Sequence, residues 1–151
     1  MKTLLYCGIG NIASFIALRP LYDIAYCFDA NPHKIDYLKR IFKNDANVLA
    51  IHCYADAEGS KNVSYTLKED KYSDANSYKK TSASLNDNEG SSVFQQINVT
   101  TNNISDFCEQ HNIQEIDTLV TCLDGPRLKT FLRSMEKFIN KRCIKHDFYP
   151  Y

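Results

Sequence analysis

Residues 4–31, LLYCGIGNIASFIALRPLYDIAYCFDAN, leave the fold little freedom. Residues 3–7 are apolar without alternation, as expected of a strand buried on both faces. Gly8-Ile9-Gly10-Asn11 follows as a turn whose glycines let the backbone come close to a ligand. A helix then places Ile12, Phe15 and Ile16 on one face and stops at Pro20. Residues 24–28 form a second buried strand, and Asp29 stands where it ends. Strand, Gly turn, helix, strand and an acid about 20 residues on make the layout of a nucleotide-type site in an open α/β sheet. In that layout Asp29 is placed to take two ribose hydroxyls.

Asn31-Pro32 supplies an N-cap and a first helical residue, and Ile35, Leu38, Ile41 and Phe42 line one face of the next helix. A third strand is expected over 48–54. Two strand–helix–strand units imply right-handed crossovers and a parallel sheet of order 3-2-1. Between 55 and 103 Asp, Ser, Asn, Lys and Gly dominate, and only 63–67 and 94–100 alternate as edge or antiparallel strands do. Residues 68–92 read as a long polar loop, either an active-site loop or disorder. A short helix around Phe107 and Cys108 comes next, and 116–123 is the fourth central strand. Asp124-Gly125-Pro126 caps a helix with Leu128, Phe131, Leu132, Met135, Phe138 and Ile139 at i, i+3, i+4 spacing. Residues 141–148 complete the pattern as a fifth strand.

The 151 residues suit one domain that buries roughly two-thirds of its unfolded surface. With 18 basic and 18 acidic residues and no basic stripe, nucleic-acid binding through bulk charge has no support. No apolar run approaches membrane-spanning length and no signal-peptide pattern is present, so a soluble, cytoplasmic chain is expected. The six cysteines lack CxxC spacing and fall mostly in apolar runs, which reads as a reduced core. The sequons at Asn62, Asn98 and Asn103 are then chance matches. His33, His52, His111 and His146 lack metal-ligand spacing, so no metal site is expected.

Taken together, the ordered pieces resemble the FkbM-type S-adenosylmethionine-dependent methyltransferases. YCGIGNIASF is similar to the family's Gly-rich first loop, and CFDANPHKIDYLKRIF to its second-strand motif of an aromatic, an acid and an Asn-Pro pair. HCYADAEGSKNVSYTL is similar to the third-strand segment, SASL to the Ser-Leu signature, and INVTTNNISDF to the run before the fourth strand. IDTLVTCLDGPRL occupies the place of the strand ending Lys-Ile-Asp-x-Glu-Gly.

The resemblance implies a doubly wound, Rossmann-like, mostly parallel sheet of methyltransferase-type order 3-2-1-4-5, one domain over 1–151 with a polar insertion after the third strand. It implies that Gly8, Gly10 and the neighbouring Asn11 meet the methionine end of S-adenosylmethionine. Asp29 would take the ribose hydroxyls, with Ala30 and Asn31 beside the adenosine. Tyr54, Ala55 and Asp56 would flank the adenine, and Asp124 would stand near the cofactor–substrate boundary. The reaction would be methyl transfer to a hydroxyl of a small molecule or sugar.

The chain departs from the pattern at Tyr6, where an acid is usual, and at Val120 and Cys122, which replace a lysine and an aspartate. No catalytic base is therefore assigned. The family's further helix and strand pair, which cover the sheet edge, are also missing after 148. The absent acid at Cys122 and the missing C-terminal strands favour a module of the same fold that keeps the pocket and has lost the chemistry, whereas the Gly turn and Asp29 favour an enzyme, the leading reading. Gly8-Ile9-Gly10-Asn11-Ile12-Ala13 taken alone also fits the dinucleotide fingerprint, so an NAD-binding domain is a third reading. Asp124 equally suits an N-cap, His52 a satisfied strand residue, His111 the surface, and Ser82 and Ser84 a solvated loop. Cys122 in a buried strand is expected to be inert. Phe148, Tyr149 and Tyr151 could cover an exposed sheet edge, as could a second copy of the chain.

Overall fold

A computed structural model describes residues 1–69, 81–84, 93–121, 123 and 125–139, with the backbone alone at 65–69, 81–84 and 93–95. Its central sheet is four-stranded and parallel, in the order β3-β2-β1-β8: Val48–His52, Ile24–Asp29, Thr3–Cys7 and Thr118–Thr121. Leu5 lies in register with Tyr26 on one side and Leu119 on the other; Tyr6 lies with Cys27 and Val120. Alternate residues therefore line opposite faces. Leu5, Cys7, Tyr26, Phe28 and Leu119 pack with Ile104 and Cys108 of α3 (Ile104–Gln110) and with Phe131 and Met135 of α4 (Gly125–Met135). Leu4, Tyr6, Ala25, Cys27 and Val120 pack with Ile12 and Phe15 of α1 (Ile12–Leu18) and Leu38 of α2 (Pro32–Ile41). Strands covered on both faces have no polar side to show, which is why these runs do not alternate in the sequence.

A second sheet, in the order β4-β7-β5-β6, joins Tyr54–Asp56, Val93–Asn103, Asn62–Glu69 and Thr81–Ser84. β4 runs parallel to β7, and β5 is antiparallel to both β7 and β6. Two expectations are corrected here. The third strand stops at His52, because β2 ends at Asp29, whose carbonyl takes the Cys53 N–H at 3.1 Å. Past that rung the chain turns to pair Tyr54–Asp56 with Thr101, Asn102 and Asn103. Nor is 68–92 a loop throughout: Lys68 and Glu69 continue β5, and Thr81–Ser84 pairs with 66–69. An edge strand held by backbone bonds needs no apolar residue, so Thr-Ser-Ala-Ser gave no strand signal.

The remaining corrections concern element ends. The core seats on α1 are Ile12 and Phe15, whereas Ile16 is 42 % exposed. At about 100° per residue it lies roughly 70° from the middle of their stripe. Ile41 is likewise exposed at 41 %, and Phe42 takes the inward seat against Phe15, ring centroids 5.6 Å apart at 90°. α4 ends at Met135; Phe138 and Ile139 are buried beyond it, where the Phe138 carbonyl accepts the Ile116 N–H at 2.8 Å and Ile139 bridges in parallel to Ile116. The expected strand over 116–123 shortens to Thr118–Thr121. That strand is the eighth among the described residues, and the fifth sheet member expected over 141–148 lies outside them, so the central order stands at four described strands.

Candidate functional site

From β1 the chain leaves through α1 toward β2, and β8 pairs with the other side of β1. α1 covers one face of the sheet and α4, which follows β8, the other. The connections from β1 and β8 thus diverge at a topological switch point, and open α/β sheets bind their ligands outside the carboxyl ends of the strands there. Gly8 begins the turn at that place, with φ +84°. An L side chain rarely adopts this value, so glycine is a backbone requirement. Its N–H donates to the Phe28 carbonyl at 2.8 Å, tying the turn to β2.

Ile9 is the hub of the turn. Its side chain is buried among Leu4, Tyr6 and Ile12. Its N–H donates to Asp29 Oδ2 at 2.7 Å. Its carbonyl accepts from Lys34 Nζ at 2.6 Å, and the same ammonium lies 3.5 Å from the Gly10 carbonyl. Asn11 is the N-cap of α1, its Oδ1 accepting from the Ala13 N–H at 2.9 Å.

Asp29 is only 5 % exposed. Besides Ile9, it accepts the Asn31 N–H at Oδ1, 2.7 Å away. Two of about four lone-pair positions of the carboxylate are thereby filled. Asn31 is fully buried and caps α2, its Oδ1 accepting the His33 N–H at 2.9 Å. Ala30 is buried too, and its carbonyl faces His52 Nε2 at 2.9 Å, so His52 is a satisfied residue at the strand end.

On the β4 side, Ala55 is buried, and Asp56 accepts from Arg127 Nη2 at 3.0 Å and from the Ala57 N–H at 2.7 Å. The guanidinium also lies over the Tyr54 ring, 4.8 Å from its centroid. β4 is thus tied to the first turn of α4. Asp124 and Cys122 lie outside the described residues, as do Phe148, Tyr149 and Tyr151, and Ser82 and Ser84 are described by backbone alone. His111 stacks on Phe107 at 3.9 Å, its Nδ1 on the Phe107 carbonyl at 2.9 Å, on α3.

Burial pushes the Asp29 carboxyl above the ordinary carboxylate range; the Lys34 charge, the Asn31 and Ile9 N–H groups and the His52 charge pull it back only in part. Burial, with the Asp29 charge beside them, also pushes the Cys27 and Cys53 thiols up to about 12, so both are inert. Gly8, Gly10, Asn11, Asp29, Ala30 and Asn31 come together at one strand-end cluster, and Tyr54, Ala55 and Asp56 form a second. Chemically the first offers a glycine backbone turn and a buried acceptor; the second is an aromatic ring under a guanidinium that also binds Asp56.

Lys34 and Arg127 escaped the reading from sequence. Each is a cation in the first turn of a helix, where the macrodipole disfavours positive charge. That misplacement is the signal that each has a specific acceptor.

Among the described residues no group of three or more His, Cys, Asp or Glu could hold a metal ion. No helix among them is long and apolar enough to cross a membrane. Cys7, Cys27, Cys53 and Cys108 are buried cysteines outside any disulfide. Set against known protein families, curated proteins and solved structures, the chain matches none.

Proposed function

We propose that this chain binds S-adenosylmethionine at the carboxyl ends of β1, β2 and β4, and that its reaction is methyl transfer to a hydroxyl of a small molecule or sugar. The observation that carries this reading is the positive-φ Gly8 turn at the switch point, bonded through Ile9 to the carboxylate that ends the neighbouring strand. The acceptor chemistry fits a ribose: Asp29 keeps about two lone-pair positions after bonding Ile9 and Asn31. Gly8, Gly10 and Asn11 would hold the methionine end, Ala30 and Asn31 would wall the adenosine, and Tyr54, Ala55 and Asp56 would flank the adenine. When bound, the cofactor supplies a methyl group already activated on a sulfonium, which leaves the protein chiefly the task of positioning. Asp124 belongs to the same proposal, at the boundary with the acceptor. So does the five-stranded methyltransferase order, with 141–148 beside β8.

A second reading, a cofactor-binding module without turnover, is favoured by the state of the acids at this edge. Asp29 is bonded to two N–H groups, and Asp56 to Arg127 and the Ala57 N–H. Neither is presented as a general base.

Thermal unfolding with S-adenosylhomocysteine, S-adenosylmethionine or NAD added separately decides the ligand. Binding at 100 times the dissociation constant stabilises a fold by about 2.7 kcal/mol. A shift with the two sulfur nucleosides that disappears in Asp29→Ala is expected. A shift with NAD alone would replace this reading with a dinucleotide domain, and no shift with any of them would end it. Transfer of labelled methyl to a panel of hydroxyl acceptors then separates enzyme from binding module.

A further inference from the structure

We propose that Asp29 and Lys34 are positioning residues that grip Ile9 from both sides and hold the Gly turn in a preformed, ligand-accepting shape. Ile9 N–H goes to Asp29 Oδ2 at 2.7 Å, and Ile9 C=O takes Lys34 Nζ at 2.6 Å. A single peptide residue is thus held at its donor and its acceptor by two side chains of opposite charge. The two come from independent elements, the end of β2 and the first turn of α2. Both bonds are charge-assisted, the strong class of protein hydrogen bond. They are also coupled, because Asn31, the N-cap of α2, donates its own N–H to the other oxygen of Asp29. The start of α2 therefore fixes the carboxylate, and the carboxylate and Lys34 fix the turn.

The helix α2 itself gains nothing from a cation at Lys34. The Lys34 charge opposes the helix dipole, and a cation in a first turn weakens a helix unless a specific partner offsets it. Here the partner is the carbonyl of Ile9, with that of Gly10 at 3.5 Å. The charged groups around Asp29 are Lys34 from α2 and His52 from β3; Cys27 of β2 and Cys53, after β3, also face it as neutral thiols. Protonating Asp29 takes up one of its free lone-pair positions and removes its charge, so the Ile9 and Asn31 N–H bonds drop from the charge-assisted to the weaker neutral class. The clamp is strongest while the carboxyl is ionised, and the Lys34 charge favours that form.

The effect on ligand affinity rests on the nucleoside reading above; the grip on Ile9 does not. Two measurements separate them. Amide hydrogen exchange at Ile9, without ligand, is compared in the wild-type chain, Lys34→Met and Lys34→Arg. Losing one charged hydrogen bond is expected to speed local opening at Ile9 about tenfold or more, and Lys34→Arg is expected to restore most of the protection. Unchanged Ile9 exchange in Lys34→Met would overturn the clamp. The second measurement is S-adenosylhomocysteine affinity against pH. Lys34→Met is expected to weaken binding and to move its acid limb to higher pH, with Lys34→Arg leaving the limb in place. Weaker binding with an unmoved limb would reduce Lys34 to packing and overturn the coupling to Asp29. Where the wild-type chain binds neither S-adenosylhomocysteine nor S-adenosylmethionine, the nucleoside reading fails, and Ile9 exchange alone decides the clamp.

Discussion

Asp29 shows how a single residue can lower the stability of a fold while shaping a site. Burial raises its carboxyl above the ordinary range more than its partners lower it, so the folded chain holds the proton more tightly than the unfolded chain. Between the ordinary value and the raised one the folded state carries the extra proton, and stability falls as pH rises through that window. Below the window both states are protonated and this contribution is fully present; above it both are ionised and it is lost. Asp45 does the opposite: Arg19 binds both its oxygens at 3.0 Å and holds it below the usual range. Subtracting the urea stabilities of Asp29→Asn from those of the wild-type chain cancels Asp45 and the other carboxylates. The difference is expected to decline with rising pH and then level off. A flat difference, or one rising with pH, would show that the partners outweigh burial. Asp29 was legible in the sequence because a carboxylate after a buried strand is conspicuous. Its inward aim was not, since it depends on where the Ile9 N–H lies in space. Lys34, five residues on, reads as one more surface lysine until that aim is known.

The Gly turn is the element where backbone conformation, more than side chains, decides what is tolerated. Gly8 has φ +84°, and Gly10 is not among the positive-φ residues. An alanine at position 8 puts a Cβ into left-handed backbone and costs about 1–2 kcal/mol; at position 10 no such strain arises. The urea midpoint is therefore expected to drop markedly in Gly8→Ala and little in Gly10→Ala, and equal drops would point to close packing in place of backbone strain. Sequence spacing treats the two glycines alike, because a motif records residue type and not φ. Elements were legible wherever an apolar stripe marked them, as in β1, β2, α2 and α4. β4 and β6 were not, because pairing to β7 and β5 supplies what their side chains do not. The break at Cys53 separating β3 from β4 was hidden inside one apolar run, since it marks where the neighbouring strand ends.

At the scale of the whole molecule, one parallel sheet separates two apolar clusters, one under α1 and α2 and the other under α3 and α4. This three-layer plan was legible, because strands without alternation between amphipathic helices permit little else. It also makes the faces energetically separable. Ile12 lies in the first cluster and Ile104 in the second, both buried, with the sheet between them. Removing one methyl from either by substitution with valine costs about 0.5–1.5 kcal/mol, small against the roughly 5–15 kcal/mol of a typical domain, so the double variant still folds. Sites without shared partners add within about 0.3–0.5 kcal/mol. The sum of Ile12→Val and Ile104→Val is thus expected to match the double variant in urea unfolding, with one transition in all three. A larger deviation would mean that the sheet passes strain between its faces. The Gly turn sits where β1 ends, in contact with the first cluster through Ile9, so coupling of that kind would let packing under α3 and α4 reach the site. With additivity, and with S-adenosylhomocysteine bound as proposed, Ile12→Val is expected to reduce the rise in unfolding temperature it causes more than Ile104→Val, because only Ile12 shares a cluster with Ile9.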